Sequence, residues 1–175
     1  MKVKRIIKYV SLSLLVIIII GYCLPRHYVM PVAGANSKSY DDKSFWFYPW
    51  GKSVTHKGVD IFGKKGTPVV AATAGLVVYT GVLKRGGNVA VVLGPKWRFH
   101  YYAHLQDTHT STFSFVKAGS PIGTVGNSGN AVGKPSHLHY TMSSMIPLPW
   151  RIDKSKQGWK KMWYLDPIPY LKETE

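Results

Sequence analysis

Three observations predict an all-β domain, an antiparallel sheet sandwich or barrel-like sheet pair, behind an N-terminal hydrophobic helix. Short runs rich in Val, Ile, Tyr and Phe are separated by single or paired glycines from Gly51 onward. No stretch between residues 51 and 145 carries a helical apolar period. The stretch His137-Leu138-His139-Tyr140 alternates polar and apolar with period two, the pattern of a strand with one buried face.

In chain order, residues 1–24 open with Lys2, Lys4, Arg5 and Lys8, and Tyr9 to Leu24 is apolar or small throughout. Those 16 residues make a helix of about 24 Å at ~1.5 Å rise. That falls short of a ~30 Å bilayer core unless Ile6 and Ile7 join and Lys8 snorkels. Gly21-Tyr22-Cys23 is a poor cleavage site, and bulky Tyr22 before the cysteine argues against a lipoprotein signal. The expectation is therefore an uncleaved transmembrane anchor, amino end inside and domain on the extracytoplasmic side; a cleaved, secreted form is the rival. Residues 25–44 read as a linker, residues 45–145 as the domain, and residues 146–175 as a basic, Trp-rich tail packing back on it. Phe45-Trp46-Phe47-Tyr48-Pro49-Trp50 is read as a strand and turn covering the sheet edge, with a groove wall as the alternative.

The formal charge is +15; five basic residues precede Asn36, and 18 basic against 8 acidic residues follow, so +10 belongs to the domain. Such a balance suits an anionic surface or polymer, but no nucleic-acid-binding signature accompanies it, and nucleic acid is not an expected partner. Both glutamates, Glu173 and Glu175, lie at the very end, so an H-E-x-x-H protease is excluded and histidine is the expected general base. Cys23 is the single cysteine, which excludes a disulfide within the chain and a Cys-rich zinc site.

His137 and His139 project from one strand face, and His56 with Asp60 forms a second imidazole–carboxylate pair. Two such pairs in one domain point to a zinc site. His27 and His109 sit in linker and loop and are expected to be solvated. His100 shares a strand face with Tyr102 and His104 by period-two counting; the expectation is an ordinary exposed position. Gly126-Asn127-Ser128-Gly129-Asn130 reads as a turn at the rim of a groove, since it lacks the closing glycine of a nucleophile elbow.

Several ordered blocks carry a resemblance. They are His56-Lys57-Gly58-Val59-Asp60-Ile61, Gly66-Thr67-Pro68-Val69-Val70-Ala71-Ala72, Tyr102-Ala103-His104-Leu105, Ile122-Gly123-Thr124-Val125-Gly126-Asn127-Ser128-Gly129 and His137-Leu138-His139-Tyr140. Together they resemble the lysostaphin-type (LytM-domain) zinc metallopeptidases, which cleave peptide cross-links of bacterial peptidoglycan. The resemblance implies one zinc per domain on His56, Asp60 and His139, and catalytic roles for His104 and His137. Some relatives have lost ligands and act as activators of other wall hydrolases, so a non-catalytic wall-binding activator is the alternative function. Thr141 stands where the family often has an acid, which leaves the surroundings of the metal open. The same residue set makes chemical sense by itself: two histidines and an aspartate leave a fourth tetrahedral position open, as a catalytic zinc requires.

Overall fold

The computed structural model describes residues 2–174. Helix α1 (Lys2–Cys23) precedes a nine-stranded antiparallel sheet. Its strands are β1 (Val59–Phe62), β2 (Pro68–Val70), β3 (Gly75–Leu83), β4 (Gly87–Gly94), β5 (Arg98–Thr108), β6 (Phe115–Val116), β7 (Pro121–Val125), β8 (His137–Ser144) and β9 (Tyr164–Leu165). The main path runs β1-β8-β5-β4-β3-β6; β7 pairs with both β2 and β5, and β9 lies on β8. The all-β class is as the glycine spacing predicts. β1, β6 and β9, of four residues or fewer, are too short to carry a period of their own.

β8 sits between β1 and β5 and organises the core. Leu138, Tyr140 and Met142 alternate inward and are essentially inaccessible. They meet Ile61 of β1 and Tyr102 of β5 in the same cluster, each such aliphatic side chain contributing about 1.5–3 kcal/mol by leaving water. Burial obliges Tyr102 to find a partner for its hydroxyl, and it accepts a hydrogen bond from the Ala72 amide at 2.8 Å.

The segment read as a linker is in part a wall of this core. Val32 bridges to Val69, the Val70 amide donates to the Pro31 carbonyl, and Val32 and Tyr40 are buried. At the other end β9 pairs with β8, and Leu165, Ile168 and Leu171 enter the main cluster, the last two from the five-residue helix α2 (Ile168–Lys172).

α1 is long and apolar enough to cross a membrane, and its side chains from Val3 to Cys23 are exposed apart from Gly21. Gly21 lies against Trp97 with no room for a Cβ, and the Trp97 indole donates to the Ile18 carbonyl at 3.1 Å.

Candidate metal centre

The register of β1 on β8 creates the centre. Asp60 stands directly opposite His139, and Phe62 opposite His137, so the four side chains share one face. Val59, Ile61, Leu138 and Tyr140 take the other face and are buried. His56 precedes the strand and is fixed by two backbone bonds with the aromatic segment: its amide donates to the Phe47 carbonyl at 3.0 Å, and its carbonyl accepts from Trp46 at 2.6 Å. Gly58, between His56 and Asp60, has to be glycine, because a Cβ there would lie 2.5 Å from the Tyr140 carbonyl oxygen and 2.6 Å from Thr141 Oγ1.

Three donor atoms converge. His56 Nε2 lies 3.1 Å from Asp60 Oδ1 and 3.2 Å from His139 Nδ1, and the latter two are 2.7 Å apart. Ligands ~2.0–2.1 Å from a tetrahedral zinc stand about 3.3 Å from one another, so the triangle is close to the size a single ion requires. The outer nitrogens agree with that use. His56 Nδ1 has the Ser44 carbonyl at 3.0 Å, which can only accept, so the proton sits there and Nε2 keeps its lone pair. His139 Nε2 faces Thr141 Oγ1 at 3.0 Å, leaving Nδ1 to face the cluster. Thr141, the departure from the family pattern, thus supplies the outer partner of a candidate ligand. Burial would raise the Asp60 pKa, but the His139 and His56 rings beside it outweigh that and hold the carboxyl well below the usual range.

His104 and His137 reach the same cleft, of about 380 Å³, with ring centroids 5.1 Å apart. His104 Nδ1 donates to the Ser128 carbonyl at 2.9 Å and His137 Nδ1 to the Pro135 carbonyl at 2.7 Å. Both rings therefore keep Nε2 as the basic nitrogen. Burial, and then the neighbouring His139 and His137 rings, lower the His104 pKa to about 4, so it is neutral at pH 7.

His104 reaches the cleft only through a break in strand geometry. Between the pairs Asn88↔Leu105 and Ala90↔Tyr102, β4 advances two residues and β5 three. His104 is in the extra position, with φ of 63°, in the left-handed region that a residue with a Cβ rarely adopts. Period-two counting puts His100, Tyr102 and His104 on one face; the bulge separates them. His100 is fully buried, neither exposed nor lining the cleft, with Nδ1 2.6 Å from the Tyr140 hydroxyl. Burial, and then Arg98, push its pKa down to about 3. His27 and His109 are exposed, as expected, His109 with Asp107 at 3.2 Å.

The aromatic run divides. Trp46 is buried and donates through its indole to the Lys156 carbonyl at 3.0 Å. Trp50 instead stacks on the His56 ring, centroids 4.1 Å apart, and lines the cleft, so the groove-wall alternative describes this residue. Its proximity to aromatic neighbours in sequence is the only signal that could have found it. The glycine-rich turn does form the rim: Ser128 Oγ donates to the Leu105 carbonyl at 2.8 Å and accepts from the Asn88 amide at 3.0 Å.

The chain is similar to known proteins. Over 90 residues, 51% of the chain, it is 34% identical to the peptidoglycan DD-endopeptidase ShyC of Vibrio cholerae. Over 86 residues, 49% of the chain, it is 36% identical to the murein hydrolase activator NlpD of Salmonella typhimurium. The matched stretches make up only 20% and 22% of those two relatives. The catalytic domain of the antimicrobial peptidase lysostaphin from Staphylococcus simulans superposes with a TM-score of 0.59 at 30% identity, covering 74% of this chain and 89% of that one. The sequence model of peptidase family M23 matches residues 54–148. Because that region takes in more than half of the 175 residues and contains all three converging donors, the chain belongs to peptidase family M23.

Proposed function

We propose that the chain is a zinc-dependent endopeptidase hydrolysing peptide cross-links of bacterial peptidoglycan. The observation that carries this reading is the convergence of His56, Asp60 and His139 on one point, with two further histidines, His104 and His137, facing the same cleft. Zinc held by the three donors would polarise a scissile carbonyl and bring the pKa of a water molecule down to about 7. The chain's own residues supply the rest. The Nε2 atoms of His104 and His137, left basic by their carbonyl partners, accept a proton from the attacking water and return it to the leaving amine. The resulting imidazolium can donate a hydrogen bond to the tetrahedral oxyanion. Burial keeps His104 unprotonated beforehand, which makes it an acceptor at neutral pH. Trp50, stacked on His56, walls off one side of the cleft.

The resemblance to NlpD favours one other reading, an activator that switches on a separate wall hydrolase without cutting. Retention of both non-ligand histidines in the cleft argues for chemistry, since a purely scaffolding domain has no use for two basic nitrogens beside a metal cluster. The deciding experiment is to incubate the zinc-loaded full chain with purified peptidoglycan and to identify released fragments by mass. Peptide-cleaved fragments support the endopeptidase. No release from the chain alone, with release once a wall hydrolase is added, establishes the activator instead.

We further propose that α1 holds the domain on the extracytoplasmic side of a membrane, amino end inside. A reporter active only in the cytoplasm, fused after Asp42, should give no signal; a strong signal ends the reading.

A further inference from the structure

Three segments distant in sequence bring cations to one place. Lys52 comes from the turn after Trp50, Lys84 and Arg85 from the β3–β4 turn, and Lys134 from the chain before β8. All four line a cleft of about 670 Å³ that shares Trp50, Arg85, Asn130 and Lys134 with the metal-centre cleft. Neither Asp nor Glu lines it, and among the described residues none of the four cations forms an ion pair. A third cleft continues along the sheet past His139 and Thr141, and again its charged lining is cationic, with Lys57 and Lys160 joining Arg85.

Four like charges around one opening repel one another, and clefts with low-dielectric walls focus that potential outward. The clustering therefore has a cost in the free chain that an anionic ligand would offset. The cation-lined cleft adjoins the one containing His104 and His137, so the ligand is part of what the metal centre acts on.

We propose that Lys52, Lys84, Arg85 and Lys134 form a substrate-selecting subsite for free carboxylates, so that the preferred substrate is a peptide bearing one or more unmodified carboxylates close to the scissile amide, in preference to an uncharged bridge. Arg85, common to all three clefts, is the residue best placed to grip a carboxylate next to the reacting bond through its planar fork. The assignment rests on the peptidase reading for its substrate, but it is a statement about binding and can be read without turnover.

The test uses the full chain and two synthetic cross-linked peptides, identical except that the carboxylates of one are amidated. Binding is followed by Trp fluorescence and calorimetry at about 50 and 300 mM salt, and hydrolysis by mass. The carboxylated peptide should bind at least about tenfold tighter at low salt, and the advantage should shrink at high salt as the charges are screened. In Arg85→Gln/Lys134→Gln the ratio should collapse toward unity, with hydrolysis of the carboxylated peptide changed in KM more than in kcat. Equal binding of the two peptides by the parent chain overturns the subsite, whether or not either is cut. Preference without any cutting leaves the subsite standing and sinks the peptidase reading. Inorganic polyphosphate competing as strongly in the double variant as in the parent leaves the assignment intact. Polyphosphate binding tighter than the carboxylated peptide, and lost in the double variant, overturns it in favour of a phosphate-bearing polymer.

Discussion

Replacing His104 by glycine should make the protein more stable than replacing it by alanine, the reverse of the usual order in a strand. His104 has φ of 63°, where a residue with a Cβ pays roughly 1–2 kcal/mol. Glycine escapes that strain but loses about 0.5–1 kcal/mol more backbone entropy than alanine on folding. Both variants lose the Nδ1 bond to the Ser128 carbonyl, so that loss cancels between them. The net expectation is a glycine variant more stable than the alanine variant by roughly 0.7 kcal/mol, or about 2 °C in Tm for a chain of this size. Ala103 next door lies outside the left-handed region, and there alanine should be the more stable residue by about 0.5–1 kcal/mol over glycine. Denaturant midpoints of the full chain, followed by near-UV dichroism, measure all four proteins. Peptide release should fall in both His104 variants by about 10²–10⁴-fold, the range for a lost acid–base group. An alanine variant equal to or more stable than the glycine variant would refute the strained-bulge account of how this ring is aimed.

Other expectations follow from the geometry. His139→Ala should lose both bound zinc and hydrolysis, whereas His137→Ala should keep about one equivalent of zinc and lose only hydrolysis; elemental analysis that finds both variants empty makes the two residues joint ligands. Thr141→Val removes the partner of His139 Nε2 and should weaken zinc binding by about 10–100-fold in a chelator competition, with the fold intact by dichroism. His100 titrates near 3 when folded and near its ordinary 6.5 when unfolded, so the unfolded chain binds the extra proton. Its contribution is complete above about pH 6.5 and is lost as pH falls toward 3, by ~1.4 kcal/mol per pH unit. The acid limb of a stability–pH curve should therefore be shallower in His100→Phe than in the parent, and parallel curves would show that His100 does not titrate in this way.

The grouping of His56, Asp60 and His139 was legible in the sequence because its parts are local. His56-x-x-x-Asp60 and His137-x-His139 each fix a face by short-range geometry, and the resemblance joins them. Leu138 and Tyr140 were legible as core for the same reason. What escaped depends on how strands meet. The mismatch between β4 and β5 that swings His104 out and leaves His100 inside is a property of pairing, invisible in either strand alone. Trp50 faces His56 across a turn, Thr141 acquires its role only when His139 Nε2 points at it, and Val32 becomes core only by bridging to Val69. In the tail, Leu165, Ile168 and Leu171 are spaced too sparsely among prolines and lysines to announce burial.

The seat of Gly21 on Trp97 changes what kind of appendage the first helix is. A flexible leash would let the groove sweep a volume set by leash length. A helix seated on Trp97 by an indole–carbonyl bond has a defined heading instead, so, on the anchor reading proposed above, the helix would also set the heading of the groove. Reach would then be set by the fold and not by the length of a leash.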